Sequence, residues 1–315
     1  MADLSLTAAF GDYDRIAPLR DQRIRPAGID LRVLTLGPSA IFQRMVDHLE
    51  FDVAEMSMGT LAYLVDRGEA RFSAIPAFPS RVFRHSMVYA NVDSGIERPE
   101  DLNGKRIAIR EWGMTAVVWI VGILADEHGL DLRSIDWVAA IPPRVPIPMP
   151  DGARIRYMAA GENLSDMLES GAVDAALIHQ VPGCFAAGSP RVRRVFADYG
   201  AAERAYWSRT GIHPIMHTTV IRDDVLARDR WVAASLMEAM EAARRHALHE
   251  ILETGTLAAM VPFLPSVMDE TRALLGDDFW PYGVERNHAT LDRLLAYAQQ
   301  QGLTRRRLQP EALFL

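Results

Sequence analysis

The sequence of 315 residues contains a single cysteine, Cys184. One cysteine excludes an intramolecular disulfide framework and a cysteine-rich zinc site, and it is more typical of a small buried or loop residue than of a nucleophile. No apolar run approaches the roughly 20 residues that a membrane-spanning helix needs. The N-terminus also lacks a basic segment followed by an apolar one, so no secretory signal is expected. We therefore predict a cytoplasmic protein without a membrane partner.

A net positive charge is absent as well. The chain has 34 Lys and Arg residues against 41 Asp and Glu, which gives a formal charge of −7 at pH 7. Nucleic acid is not expected as a partner, because phosphate binding needs a basic surface. The G-x-G-x-x-G, Walker A and G-x-S-x-G motifs are missing, so nucleotide binding and serine-hydrolase chemistry have no support.

The patterns that are present predict an α/β protein. Four strands are predicted near the N-terminus, at Leu4–Phe10, Ile29–Leu36, Phe51–Met56 and Ser73–Phe78. Helices are predicted between them, at Ile41–Leu49 and Gly59–Arg67. The alternation restarts after about residue 99 with strands at Ile107–Ile109, Ser134–Ala140 and Val173–Ile178, and helices at Gly113–His128 and Glu162–Ser170. Strands that alternate with helices indicate βαβ units and a mostly parallel sheet.

Two further segments define the predicted organisation. Residues 141–150 contain five prolines and are expected to form an extended loop. From about Arg222 onward the pattern is almost entirely helical, with a main helix at Trp231–Leu252. We predict two lobes, residues 1–88 with 219–315 and residues 89–218, joined by a two-segment hinge near 83–92 and 211–222. Ligands of open α/β folds bind at strand carboxyl ends that face such a cleft.

Both predicted hinge segments are basic. No acidic residue lies between Glu69 and Asp93, or between Glu203 and Asp223. The first segment contains Arg71, Arg81, Arg84 and His85, and the second contains Arg204, Arg209, His213, His217 and Arg222. Positive charge along the hinge of an acidic protein favours an anionic ligand in the cleft.

Side-chain alternation in an extended segment predicts a binding face. Residues two apart share a face, so Arg81, Phe83 and His85 are expected to point one way and Arg84 the other. An arginine can hold a carboxylate through two hydrogen bonds, and a histidine can transfer a proton near neutral pH. Alternatively, these arginines pair with acids between the lobes and the histidines are core residues.

Helix starts provide other candidates for anion binding. Ser57 and Gly113–Thr115 each follow a predicted strand and begin a helix, where free N–H groups favour negative charge. A divalent metal is left open, with Glu55, His85 and His217 as its candidate ligands if the fold brings them together.

Five sequence blocks distributed over nearly the whole chain resemble the 4,5-dihydroxyphthalate decarboxylase family. They are residues 11–15 (GDYDR), 51–57 (FDVAEMS), 78–86 (FPSRVFRHS), 210–218 (TGIHPIMHT) and 276–284 (GDDFWPYGV) followed by Asn287. The resemblance implies the two-lobed fold of type II periplasmic binding proteins. It also implies an enzyme that converts 4,5-dihydroxyphthalate into 3,4-dihydroxybenzoate and CO2.

Residue type and expected position suggest roles for individual residues in such a reaction. We expect Arg81 to hold a carboxylate and His85 or His217 to transfer the proton. The substrate-binding candidates are Asp12, Tyr13, Ser57, Arg84, Trp112, Thr115, His213, Tyr282 and Asn287. No cofactor is expected, the partner is a small aromatic carboxylate, and a homo-oligomer is compatible with the composition. The alternative function is a non-catalytic solute-binding protein for a small aromatic or other carboxylic acid.

Overall fold

The chain folds into two β-sheets that are surrounded by helices, as seen in a computed structural model that describes residues 3–315. The strands are β1 (Leu4–Phe10), β2 (Ile29–Thr35), β3 (Val53–Ser57), β4 (Phe72–Arg81), β5 (Val88–Asn91), β6 (Arg106–Ile109), β7 (Asp136–Ala139), β8 (Arg154–Tyr157), β9 (Ala175–Leu177), β10 (Val192–Arg194) and β11 (Ile215–Arg222). The α-helices are α1 (Ala17–Arg20), α2 (Pro38–His48), α3 (Met58–Arg67), α4 (Thr115–His128), α5 (Leu164–Ser170), α6 (Gly183–Ala186), α7 (Tyr199–Thr210), α8 (Asp223–Arg228), α9 (Trp231–Leu252), α10 (Leu264–Leu275) and α11 (His288–Gln300).

The first sheet has the strand order β2-β1-β3-β11-β4. Strand β1 runs parallel to β2 and β3, whereas β11 lies antiparallel between β3 and β4. Ala8, Ala9 and Phe10 are all buried, which is the pattern of a central strand covered on both faces. We call this sheet and its helices the first lobe.

The second sheet has the order β10-β5-β9-β6-β7-β8 and, with its helices, forms the second lobe. Strands β9, β6, β7 and β8 are parallel neighbours, and β5 is antiparallel to both β9 and β10. Helix α4 is buried at every position from Thr115 to Leu124, as its all-round apolar sequence requires. Gly122 allows this packing, because a Cβ there would lie 2.2 Å from the ring of Tyr297.

The chain crosses between the lobes twice. It leaves the first sheet after Arg81 and enters the second at Val88, and it returns between Thr210 and Ile215. Because β11 begins at Ile215, residues 215–218 already pair with the first sheet, earlier than the return at 219 predicted from the sequence. After β11 the described chain consists of helices and loops, apart from one bridge between Phe314 and Ala74.

Candidate functional site

A cavity of about 530 Å³ lies between the lobes, at the carboxyl ends of several strands. Ser57 ends β3, Arg110 follows β6, and His179 lies two residues beyond β9; all three line the cavity. The basic side chains that line it are Arg84, Arg110, Arg144, His179 and His217. The only carboxylate among its lining residues is Glu111. A cavity with this excess of positive charge suits a small anion.

Three helices begin at the cavity wall. The residues before α2, α3 and α4 are Gly37, Ser57 and Met114, and all line the cavity. Neither Gly37 nor Met114 caps its helix with a side-chain hydrogen bond. Pro38 has no N–H and the Ala40 amide donates to the Gly37 carbonyl, so the free donor at the start of α2 is the Ser39 amide. At the start of α4 the free donors are the Thr115 and Ala116 amides, and the helix dipoles add to the attraction for an anion.

A buried carboxylate orients the histidine of the cavity. Glu55 is fully buried and accepts hydrogen bonds from the Gly11 amide at 2.9 Å and the Tyr13 hydroxyl at 2.7 Å. Its Oε1 lies 2.5 Å from Nδ1 of His217. Burial alone would raise the pKa of Glu55, but the contacts with His217, Gly11 and Tyr13 outweigh it and lower the pKa. The carboxylate is thus ionised, and Nδ1 of His217 must carry the proton that is donated to it.

The strand geometry around His217 is irregular. The register of β11 against β4 shifts between Ile215 and His217 and again between His217 and Thr219. Such bulges re-aim side chains and are common next to active sites. The ring of Phe42 packs edge-on against the imidazole, with 4.8 Å between centroids. Since Nδ1 contacts Glu55 and the residue lines the cavity, Nε2 is the nitrogen available to a ligand.

Arg84, Arg110 and His179 form a second group of basic side chains in the cavity. Burial lowers the pKa of Arg84 to about 10. Burial, followed by the charges of Arg84, Arg110 and His217, lowers the pKa of His179 to about 4. His179 is therefore a neutral imidazole near pH 7, and it can exchange hydrogen bonds with a hydroxyl group.

Several residues predicted from the sequence lie together at this site. Arg84, Ser57, Thr115 and His217 line the cavity. Ser57 and Thr115 belong to different lobes, and their hydroxyl oxygens are 2.9 Å apart. Tyr13 lies behind His217, as a donor to Glu55. Their roles in binding stay predictions.

Arg81 and His85 are not brought into the cavity. Arg81 is buried and donates to the carbonyl oxygens of His213 and Pro281 and to the side chain of Asn287. His85 packs against the rings of Phe196 and Tyr206, at 5.2 and 5.4 Å. The prediction that Arg81, Phe83 and His85 share one face is wrong, because β4 ends at Arg81 and a 3₁₀ turn begins at His85.

The remaining predicted residues also lie outside the cavity lining. Asp12 is exposed and pairs with Arg20 at 2.5 Å. His213 stacks on Phe83 with ring centroids 4.8 Å apart. The three others are buried, with Trp112 donating to the carbonyl of Gln301, Tyr282 packing on Phe78, and Asn287 holding Arg81.

The candidate metal ligands do not form a set. Glu55 and His217 are in contact, but His85 lies in its separate aromatic environment. Within residues 3–315, no group of three or more His, Cys, Asp or Glu side chains is arranged to hold a metal ion.

We expect Arg81→Ala to lower the free energy of unfolding by about 2–4 kcal/mol, since it removes buried hydrogen bonds and leaves a void. Urea denaturation measures the loss, and the affinity for an aromatic dicarboxylate should change less than threefold. Arg110→Ala is the matched variant, with normal stability and weakened binding. Weak binding by Arg81→Ala at normal stability would instead support the role predicted from the sequence.

Sequence reasoning missed Arg110, Arg144 and His179. Arg110 and His179 closely follow predicted strands, so the carboxyl-end rule applied to every strand would have found them. Arg144 lies within the proline-rich segment and has no comparable signal.

Solved structures of low sequence identity share the fold. The chain is similar to the periplasmic sulfonate-binding protein of a sulfonate ABC transporter from Methylobacillus flagellatus, with a TM-score of 0.58, 14% identity and coverage of 100% of this chain and 92% of that chain. It is also similar to the desulfurization enzyme DSZB, with a TM-score of 0.51, 15% identity and coverage of 99% and 97%. These similarities confirm the predicted type II periplasmic-binding-protein-like fold.

Curated relatives then identify the family. The chain is 34% identical over 320 aligned residues to a 4,5-dihydroxyphthalate decarboxylase from Comamonas testosteroni, which covers 100% of this chain and 97% of the relative. It is 35% identical over 213 residues to a 4,5-dihydroxyphthalate decarboxylase from Pseudomonas putida, covering 65% of this chain and 83% of the relative. The chain belongs to the 4,5-dihydroxyphthalate decarboxylase family.

No protein-family model matches the chain. Among residues 3–315, none of the helices has both the length and the apolar character needed to cross a membrane.

Proposed function

We propose that this protein decarboxylates a hydroxylated aromatic dicarboxylic acid, with 4,5-dihydroxyphthalate as substrate and 3,4-dihydroxybenzoate and CO2 as products. Membership of the family supports the reaction class. The observation that carries the proposal is the Glu55–His217 pair at the wall of a cavity lined by three arginines. The arginines suit a dianion. The oriented histidine supplies a proton donor, which decarboxylation requires and binding alone does not.

Decarboxylation of the ring requires a proton donor. In the proposed reaction, protonated His217 donates from Nε2 to the ring carbon that bears the departing carboxylate, while the hydroxyl para to that carbon donates electron density. The C–C bond to the carboxylate then breaks, its electron pair restores the aromatic ring, and CO2 leaves. His217 is left neutral and regains its proton from water.

Other cavity residues orient the substrate. Arg84 and Arg110 are the proposed partners of a carboxylate, since an arginine can bind one through two hydrogen bonds. Neutral His179 is the proposed partner of a catechol oxygen, since the predicted substrate-binding residues Tyr282 and Asn287 are not among the cavity-lining residues. Glu55 stabilises the imidazolium and holds its tautomer, as carboxylates do in other acid–base pairs.

The test is to incubate the purified protein with 4,5-dihydroxyphthalate and to follow CO2 and 3,4-dihydroxybenzoate, with and without a chelator. We expect product in both samples. Loss of activity with the chelator would mean that the reaction requires a metal ion. We also propose that the protein is located in the cytoplasm, and an activity assay on cytoplasmic and periplasmic cell fractions tests this location.

The second candidate is a solute-binding protein for an aromatic or other small carboxylic acid. The fold favours it, since a periplasmic sulfonate-binding protein has the same architecture. Tight binding of 4,5-dihydroxyphthalate without any CO2 release would support this function and contradict the enzyme.

A further inference from the structure

The proline-rich segment 141–150, which we call the proline strap, joins the two lobes outside the hinge. It follows β7 of the second lobe, and the Tyr63 hydroxyl of α3 in the first lobe donates to the carbonyl of Pro146 at 3.3 Å. Ile147 packs on Gly113 so closely that a Cβ on this glycine would lie 2.0 Å from its Cδ1. The strap is therefore held by both lobes.

Arg144 projects from the strap into the cavity. Its amide donates to Oε1 of Glu111 at 2.8 Å, and its guanidinium lies 3.8 Å from Oε2 of the same carboxylate. The guanidinium also lies 5.4 Å from the centroid of Phe42, the ring that packs on His217. Its Nε is buried without a hydrogen-bond partner in the described chain. Arg144 and His217 thus pack against the same ring, and at 3.8 Å from Glu111 the guanidinium keeps its hydrogen-bond donors for a ligand.

The three arginines of the cavity differ in how strongly their charge is compensated. Glu111 offsets part of the charge of Arg144. Arg84 and Arg110 form no salt bridge within 4.0 Å among the described residues, and the charge of Glu203 acts on Arg84 only from beyond that distance. A carboxylate bound by Arg84 and Arg110 is consequently held more strongly than one bound by Arg144.

We propose that Arg144 binds the carboxylate that leaves as CO2, and that Arg84 and Arg110 bind the one that stays. This inference rests on the proposed function. The departing carboxylate loses its charge as the C–C bond breaks, so a strong ion pair there would stabilise the substrate more than the transition state. The retained carboxylate keeps its charge throughout, and a strong grip on it carries no such penalty.

A consequence is that Arg144 distinguishes substrate from product. The product 3,4-dihydroxybenzoate has lost the group that Arg144 binds, whereas it keeps the group bound by Arg84 and Arg110. Arg144 therefore contributes to capture of the substrate without delaying release of the product.

The experiment measures kcat/KM for 4,5-dihydroxyphthalate and the inhibition constant of added 3,4-dihydroxybenzoate. We expect Arg144→Gln to raise KM at least about tenfold, the effect of losing one hydrogen bond to a charged group. The fall in kcat/KM should be smaller than the rise in KM, because this contact weakens in the transition state, and the inhibition constant should stay within twofold. The matched variant Arg110→Gln should weaken both. Arg144→Lys, which keeps the charge but not the planar fork, should lie between the parent and Arg144→Gln.

Other outcomes overturn the inference. If Arg144→Gln weakens product and substrate by the same factor, Arg144 holds the retained carboxylate. If it changes neither at normal thermal stability, Arg144 does not contact the ligand. The unmodified protein is assayed first. If it releases no CO2 from 4,5-dihydroxyphthalate, the proposed function itself is wrong, whatever the variants do.

Discussion

His217→Gln is expected to lower kcat for CO2 release by about 10²- to 10⁴-fold, the usual contribution of a general acid. Glutamine can still donate a hydrogen bond to Glu55, so the local fold should persist, but it cannot deliver a proton to the ring. Affinity for 4,5-dihydroxyphthalate should change only a few-fold, because the arginines that bind the carboxylates are untouched. Steady-state kinetics and calorimetric titration separate the two effects.

Two other variants sharpen this test. Glu55→Gln keeps the shape of the pair but removes the charge that stabilises the imidazolium, so we expect a smaller loss of kcat. His85→Gln is the matched control, since His85 lies against Phe196 and Tyr206 and outside the cavity. It should keep kcat within twofold. An inactive His85→Gln beside an active His217→Gln, both with normal unfolding midpoints, would assign the proton to His85.

The sequence predicted long, strongly patterned elements best. Strand Leu4–Phe10 and helix Trp231–Leu252 match the structure at both ends, because an apolar strand and a long helical pattern leave little ambiguity. Strands β5, β8 and β10 were not predicted. They have four residues or fewer, and they are strands because the second sheet offers them partners, which a local pattern does not contain.

The parts of the site that follow from the order of strands and helices along the chain could be predicted from the sequence. Ser57 and Thr115 lie at the cavity because each comes where a strand gives way to a helix. His85 does not, because the alternation rule was applied beyond the end of β4. Arg81, the last residue of β4, is turned instead towards Pro281 and Asn287, which no local pattern reveals. Glu55 became informative only through its contact with His217, which lies 162 residues further along the chain. Such long-range pairs depend on the return of β11 to the first sheet.

Contacts between the lobes also bear on how the cavity opens. Gly59 of the first lobe donates its amide to the Thr115 hydroxyl at 3.0 Å, beside the Ser57–Thr115 contact. A Cβ on Gly59 would lie 2.6 Å from the carbonyl oxygen of Gly113, a backbone atom of the second lobe. The closed arrangement therefore requires glycine at this position. A hinge motion that separated these contacts would open the cavity, and their formation would enclose a ligand.

Gly59→Ala is expected to weaken substrate binding by about 5- to 150-fold, the equivalent of the roughly 1–3 kcal/mol that overpacking costs. The clash exists only when the lobes meet, so the ligand-free protein should relax apart and unfold at the same urea concentration or slightly higher, since alanine favours a helix. Small-angle scattering should then show a larger radius of gyration with saturating ligand than the parent has.

Gly200→Ala provides the matched control, because its new Cβ would meet neighbouring atoms only at 3.6 Å, an ordinary contact within α7. Its affinity and scattering should equal those of the parent. A Gly59→Ala protein that binds normally would mean that the lobes close without this contact. A Gly59→Ala protein that is less stable without ligand would mean that the two lobes never separate. Substrate would then reach His217 through local movement of the proline strap.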